Sequence, residues 1–375
     1  MHKKILFLTG TRADFGKMKS LIYILENKPE FEVFVFVTGM HLQKEYGLTL
    51  IEIKKCHFKN VFTFENYTHE TTMDLTLAKT IEGLSKYAKL VQPDMIIVHG
   101  DRVETLAGAI VGSLNNILVS HIEGGELSGT VDEIIRHSVS KLSHIHFTAN
   151  EEAKKRLLQM GEIESSIFTI GSPDIDIMFS ETLPNLNQVK EYYQITFEKY
   201  AIVMFHPVTT EANEMQEYAN NFVNALLEDD KNYVIIYPNN DLGSKYIINI
   251  YKHLASNSRF RIFPSLRFEY FLTLLKNAQF IIGNSSAGIR EAPYYGIPTI
   301  NIGTRQQNRS LNANIVNVNY NQGNIRNALK TINNHINNHN IKDFFGKGNS
   351  AELFLKSLLE TNIWEINHQK QFRDI

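Results

Sequence analysis

A single cysteine, Cys56, stands among the 375 residues, which excludes an intrachain disulfide and any metal or iron–sulfur centre built from several thiolates. No excess of one charge is present either: Lys and Arg number 38 against 40 Asp and Glu, a net charge of −2. That balance gives no general attraction to nucleic acid or to an anionic membrane, and neither is expected as a partner. Long apolar runs are missing too. The basic start, Met1-His2-Lys3-Lys4, leads into only four apolar residues before Thr9-Gly10, too few for the core of a secretory leader. Nothing approaches the ~18 consecutive apolar residues of a membrane-spanning helix. A cytoplasmic enzyme is the expectation. Hydrophobic residues at 43% and charged residues at 21% are those of an ordinary globular chain, and at about 100–200 residues per domain the length points to two domains.

What the chain has in quantity is short apolar runs, each closed by a polar or glycine-bearing turn. In the first half they span residues 4–8, 33–37, 95–98, 117–120, 145–148 and 167–170; in the second, 201–205, 233–237, 261–263, 280–282 and 299–302. Continuous rather than alternating runs read as parallel strands buried on both faces. Helical patterns such as 17–25 and 72–90 lie between them, the signature of a doubly wound α/β protein. Residues 172–193, with two prolines and no strand pattern, read as the linker. The expected architecture is therefore α/β, with two Rossmann-like domains facing across a cleft. Their boundaries fall at 1–172 and 173–375, and the last helix has the option of packing back on the first domain. The asparagine-dense stretch 301–340 reads as surface bias.

Open α/β sheets bind ligands outside the carboxyl ends of their strands, so the residues following each run matter most. After the first comes Thr9-Gly10-Thr11-Arg12-Ala13-Asp14-Phe15-Gly16-Lys17. It lacks the glycines of a dinucleotide fingerprint, which disfavours NAD, but it places Arg12 and Lys17 around a helix N-terminus suited to an anion. The same loop reads equally well as a charged turn with a solvated lysine. Two further loops carry carboxylates: His99-Gly100-Asp101-Arg102 and His121-Ile122-Glu123-Gly124-Gly125-Glu126. Carboxylates paired in a dry cleft have their pKa values pushed apart and so divide into acid and base. Rival readings are a divalent-metal site of His99, Asp101, His121 and Glu123, without a recognisable ligand spacing, and Asp101 as a helix cap. In Thr130-Val131-Asp132-Glu133 the outer pair forms a capping box, leaving Asp132 as a third candidate carboxylate or a helix-dipole partner. His144 and His146 read as ordinary half-buried residues.

In the second half, His206 closes a strand. Gly283-Asn284-Ser285-Ser286-Ala287-Gly288-Ile289-Arg290-Glu291-Ala292-Pro293 then breaks another strand into small residues at a helix N-terminus, an arrangement suited to a diphosphate. Glu291 is spaced to take a ribose, and Arg305, Gln306, Asn308 and Arg309 follow the next strand. The plain alternative is a tight turn with serine caps.

Taken together, segments 9–17, 99–102, 121–132, 205–207 and 283–293 resemble, in order and over nearly the whole chain, the UDP-N-acetylglucosamine 2-epimerases, most nearly the hydrolysing branch of bacterial sialic acid synthesis. The resemblance implies a fold similar to B-type glycosyltransferases, no metal or other cofactor, and a homodimer or homotetramer. It implies catalytic Asp101, Glu123, Asp132 and His206, and a UDP-sugar held by Arg12, Lys17, Ser285, Ser286, Gly288, Glu291 and Arg305. The implied reaction converts UDP-N-acetylglucosamine to N-acetylmannosamine and UDP through a 2-acetamidoglucal. Ala13-Asp14 and Val131-Asp132-Glu133 stand where non-hydrolysing relatives carry Pro-Glu and Pro-Glu-Glu, which argues for the hydrolysing branch. A 2,4-diacetamido-2,4,6-trideoxy sugar nucleotide on the legionaminic acid route, a B-type glycosyltransferase and a nucleotide-binding regulator are the alternatives.

Overall fold

In the computed structural model, which describes residues 2–67, 72–181, 183–306, 314–332 and 344–373, the continuous apolar runs form two all-parallel sheets. The first contains β1 (Lys3–Thr9), β2 (Phe31–Val37), β3 (Asn60–Thr63), β4 (Met95–His99), β5 (Leu118–Ile122), β6 (Ile145–Thr148) and β7 (Ile167–Thr169), in the order β3-β2-β1-β4-β5-β6-β7. The second contains β8 (Ala201–Met204), β9 (Tyr233–Ile236), β10 (Phe260–Phe263), β11 (Ile281–Gly283), β12 (Thr299–Ile302) and β13 (Ile315–Val318), ordered β10-β9-β8-β11-β12-β13.

Helices connect the strands. In the first unit they are α1 (Arg12–Glu26), α2 (Leu50–Lys54), α3 (Met73–Val91), α4 (Val103–Leu114), α5 (Val131–Leu142), α6 (Glu151–Gln159) and α7 (Pro173–Met178). The second has α8 (Leu186–Tyr193), α9 (Met215–Leu227), α10 (Ser244–Lys252), α11 (Phe268–Lys276), α12 (Glu291–Tyr294) and α13 (Gln322–Thr331), and α14 (Ser350–Leu359) returns to the first. The chain thus divides into Met1–Glu126, Asp132–Ser180 and Asp343–Ile375 on one side, and Leu127–Val131 with Glu181–Lys342 on the other. No described helix is long and apolar enough to cross a membrane.

Both units share one wiring. The chain winds outward from β1 to one edge, then restarts at β4 beside β1 and winds to the other edge; β8 and β11 repeat the plan. The ligand-binding crevice of such a sheet lies where winding reverses. In the first unit that point is flanked by the loops after β1 and β4, and in the second by those after β8 and β11. Apolar side chains on both faces hold each sheet, with Phe7, Ile97, Ile122 and Phe147 buried in the first and Phe205, Tyr233, Ile282 and Ile300 in the second. The edge of the Phe147 ring meets Phe354 of α14 at 4.9 Å between centroids, which ties the returning helix to β6.

The structure departs from the sequence expectation at the edges. Strands β3 and β13 complete the two sheets without having been legible, because an edge strand buries less and here mixes Asn60, Thr63 and Asn317 with its apolar residues. The stretch 172–193 is not an open connection: Pro173 opens α7, where its missing N–H costs nothing, and Asn185 starts α8 through a capping box with Gln188. Helix α1 begins at Arg12, five residues ahead of the expected pattern, because Thr11 and Asp14 cap one another's backbone N–H groups.

Candidate active site

Asp14 shows how the first loop is built. Its carboxylate accepts from the Gly10 and Thr11 backbone N–H groups at 3.0–3.1 Å and from the Thr9 hydroxyl. Burial alone would raise its pKa, but the neighbouring His41 ring and these donors outweigh that and lower it. Asp14 is thereby committed to fixing the loop after β1, with Arg12 opening the helix beside it and Lys17 a little over one turn on.

Lys17 is not a solvated surface lysine. Its ammonium lies 3.1 and 3.3 Å from the two carboxylate oxygens of Glu123 and 3.4 Å from Asp174 Oδ2. Ser172 donates its hydroxyl to Glu123 Oε1, and His99 Nε2 lies 3.2 Å from Glu123 Oε2. Glu123 is 3% exposed and has φ +64°, a left-handed conformation that costs a non-glycine residue about 1–2 kcal/mol. Strain of this sort persists only where surrounding contacts over-determine it, and it concentrates at functional sites.

Asp101 stands on the next loop. Its Oδ2 accepts from Arg136, whose other terminal nitrogen donates to the Glu123 carbonyl at 2.6 Å. One guanidinium, 2% exposed, therefore joins both carboxylate-bearing turns. Asp101 does not cap α4: the cap position belongs to Arg102, and no side chain fills it. Asp132 occupies the first turn of α5, half-buried, while Glu133 pairs with His137 at 3.0 Å.

His121 is buried with Nε2 at 2.8 Å from the Gly100 carbonyl and Nδ1 at 3.1 Å from Ser140 Oγ. Burial drives its pKa well below the ordinary 6.5, so the ring is neutral, donates from Nε2 to Gly100 and accepts from the serine. With both nitrogens engaged it is a brace for the Asp101 loop rather than a ligand. Among the described residues no three His, Cys, Asp or Glu side chains converge in a way that would hold a metal ion.

His144 and His146 are buried rather than half-buried, His146 completely, and burial lowers both pKa values as well. The sign of the consequence is set by the unfolded chain, whose imidazoles take up protons below about pH 6.5 while these three resist. Their contribution is complete above pH 6.5 and is lost as pH falls below it, at up to about 1.4 kcal/mol per pH unit for each ring. The urea midpoint is expected to fall between pH 7 and 5, and less steeply in His144→Gln; parallel curves for the two proteins would contradict this.

In the second unit the switch point is closed by Asn284. Its side chain accepts from the His206 backbone N–H at 2.6 Å and donates to the His206 carbonyl at 2.9 Å, and its own N–H donates to Met204 at 3.0 Å. His206, 5% exposed, accepts at Nδ1 from the Asn239 N–H at 3.0 Å. The neutral ring therefore carries its proton on Nε2. Gly283, at φ +136°, has no room for a side chain, since a Cβ would lie 2.0 Å from the Met204 carbonyl.

Ser285 then caps a 3-10 turn, Ser286–Gly288, by accepting from the Ala287 N–H at 3.3 Å. The expected helix N-terminus is thus this single turn followed by the four-residue α12, with buried Glu291 as its first residue. Ser285 and Ser286 remain partly exposed, while Gly288 lets Thr299 pack at a distance no Cβ would permit. Arg305 and Gln306 donate to the Asn284 carbonyl at 3.2 and 3.0 Å. Asn308 and Arg309 lie outside the described residues.

The structure thus gathers Lys17, Asp101 and Glu123 through shared partners in the first unit, and His206, Ser285, Ser286, Gly288, Glu291 and Arg305 around one turn in the second. Arg136, Ser172 and Asp174 were not singled out from the sequence. Arg136 lies beside the apolar stripe of an amphipathic helix, and Ser172 and Asp174 flank a proline in what reads as a linker. A buried charge on an apolar helix face was the one available signal.

Two doubly wound parallel domains, each with polar groups gathered at its switch point, define a two-domain α/β fold of the glycosyltransferase-B-like class. Residues 24–359 match the family described as UDP-N-acetylglucosamine 2-epimerase, and the chain belongs to that family. Over its full length and 99% of the relative it is 48% identical to the UDP-N-acetylglucosamine 2-epimerase of Neisseria meningitidis serogroup B. It is 34% identical to the hydrolyzing UDP-N,N'-diacetylbacillosamine 2-epimerase of Legionella pneumophila, across 85% of each chain. It is also 34% identical to the polysialic acid biosynthesis protein P7 of Escherichia coli, across 84% of this chain and 82% of that one. The crystal structure of the Methanocaldococcus jannaschii UDP-GlcNAc 2-epimerase in complex with UDP-GlcNAc and UDP shares the fold, with a TM-score of 0.81 at 24% identity over 95% of this chain and 99% of that one.

Proposed function

We propose that this protein is a hydrolysing 2-epimerase that converts UDP-N-acetylglucosamine to N-acetylmannosamine and UDP, the entry to sialic acid synthesis. The observation that carries the reading is the buried, strained Glu123, held by Lys17 and Ser172 with the His99 ring 3.2 Å away, and tied through Arg136 to Asp101. A binding module gains nothing from acids held out of water in this way.

The chemistry requires such groups. The C2 proton of the sugar has no adjacent carbonyl and is not acidic until the C1–O bond to UDP begins to break. Loss of UDP then carries that bond's electrons onto the diphosphate, while a carboxylate takes the C2 proton and a C1=C2 glycal forms. Water adds its hydroxyl to C1, and a proton returns to the opposite face of C2. Substrate plus one water gives N-acetylmannosamine plus UDP. Asp101, Glu123 and Asp132 supply the base and acid as a trio. In the second unit, His206 Nε2–H, the Ser285–Ser286 turn and Arg305 stabilise the departing diphosphate, with Gly288 allowing the turn its close packing and Glu291 taking the ribose, while Lys17 holds Glu123.

Hydrolysis, rather than return of UDP to the glycal, is supported by the Legionella relative, and the sialic acid route by the E. coli relative. The higher identity to the N. meningitidis protein favours UDP-N-acetylglucosamine over a 2,4-diacetamido sugar nucleotide. Incubation with UDP-N-acetylglucosamine in deuterated water is expected to yield UDP and N-acetylmannosamine deuterated at C2. Undeuterated product would eliminate the elimination route, accumulation of UDP-N-acetylmannosamine would make the enzyme non-hydrolysing, and transfer to an added acceptor would make it a glycosyltransferase. Faster turnover of the 2,4-diacetamido nucleotide in a parallel assay would reassign the sugar.

A further inference from the structure

Helix α5 presents one row of residues to the carboxylate loops. Asp132, Arg136 and Ser140 follow one another at four-residue spacing, so they lie on one face. Arg136 binds Asp101 and the Glu123 carbonyl, and Ser140 binds His121, which in turn holds the Gly100 carbonyl. The C-terminal end of this helix is held from far along the chain. Lys370 donates to the Ser143 carbonyl at 2.6 Å, approaches the Ser140 carbonyl at 3.4 Å and pairs with Glu162 at 2.5 Å. Glu162 also takes Lys141 of α5 at 2.9 Å and His146 at 2.9 Å.

The segment that carries Lys370 is itself fastened to the turns that lead into β5 and β6. His368 Nδ1 lies 2.6 Å from the Asn116 carbonyl, Gln369 donates to the Asn116 side chain at 2.9 Å, and His144 Nε2 lies 3.0 Å from the His368 carbonyl. The Ser140 carbonyl already accepts from the Ser143 N–H at 3.2 Å and Ser143 follows the last helical residue, so the Lys370 cation adds a second bond at this terminus and complements the helix dipole. A second anchor on Glu162 keeps that cation in place.

We infer that Lys370 is a positioning residue, which by capping the C-terminal end of α5 keeps Arg136, Ser140 and Asp132 in register with the Asp101 and Glu123 turns. The inference rests on the functional reading above for its kinetic consequence but not for its structural one. It assigns a role to the segment around Lys370, whose hydrogen bonds run to Asn116, Ser140, Ser143, His144 and Glu162.

The test compares full-length Lys370→Gln and Lys370→Arg with the wild type in three measurements: UDP release from UDP-N-acetylglucosamine, UDP affinity by calorimetry, and amide hydrogen exchange. Displacing reacting groups by an ångström costs up to about 10²-fold. Lys370→Gln is accordingly expected to lose roughly tenfold in kcat, with KM and UDP affinity within about twofold, and Lys370→Arg to recover most of the loss. The amides of α5 should exchange several-fold faster in Lys370→Gln.

Wild-type kcat together with wild-type α5 exchange in that variant overturns the inference, whatever its melting temperature. A lower melting temperature with unchanged kcat reduces Lys370 to a stabilising contact and overturns it too. If the wild type itself releases no UDP, the functional reading fails, and the exchange of α5 alone decides the positional claim. Should Lys370→Gln not fold, Glu162→Gln, which loosens the anchor but leaves the lysine, is read by the same measurements.

Discussion

Substituting Glu123 by Gln, or Asp101 by Asn, is expected to lower turnover by ~10²–10⁴-fold, the range by which a positioned acid or base accelerates proton transfer. UDP affinity should stay within about twofold in both variants, since neither side chain is assigned to the diphosphate or the ribose and a uniform binding contact would alter KM rather than kcat. Glu123→Gln leaves Lys17 an anionic partner, whereas Asp101→Asn leaves Arg136 an amide and a carbonyl, so a melting curve accompanies the second variant. Lys17 keeps Asp174 at 3.4 Å when Glu123 is neutralised, and Arg136 keeps the Glu123 carbonyl at 2.6 Å when Asp101 is. That matters because an uncompensated buried charge would unfold the site and disguise the effect. Initial rates of UDP release alongside calorimetric UDP titration check the split. Full turnover in both amides would remove these carboxylates from the chemistry.

Glu291→Ala should do the reverse. A buried carboxylate that accepts two ribose hydroxyls contributes charge-assisted hydrogen bonds of about 1.5–3 kcal/mol, so UDP is expected to bind roughly 10–100-fold more weakly. At saturating substrate kcat should change far less than kcat/KM. Glu291 opens α12 immediately after Arg290, in a buried setting, so a stability measurement must accompany the titration. Unchanged UDP affinity in a folded variant would dismiss the ribose assignment and shift attention to Asn284 and Arg305.

How far the sequence carried these conclusions depended on where information is stored. Strands buried on both faces, such as β1, β4 and β8, announce themselves because every position must be apolar. Edge strands β3 and β13 do not, because Asn60, Thr63 and Asn317 break their apolar pattern, whereas the other two edges, β7 and β10, were legible. The carboxylates Asp101 and Glu123 were legible because a strand end in an α/β sheet is where chemistry is expected, and the same argument pointed to His206 and Gly283–Glu291. The side chains that position them were not. Arg136 looks like one polar residue in an amphipathic helix, Ser172 and Asp174 sit beside a proline that reads as a break, and Lys370 meets Ser143 across 227 residues of sequence. Local pattern reports local structure; a contact made through the third dimension leaves no periodicity.

The interruption of the first unit by residues 181–342 has a bearing on how the protein is made. A ribosome adding about 5–20 residues per second needs on the order of ten to forty seconds to travel from the end of α7 to Phe354 and Lys370. Throughout that interval the whole of the second sheet can emerge and close, while the surface around Phe147 waits uncovered for its last helix. The nascent N-terminal half is therefore the portion that calls for chaperone protection.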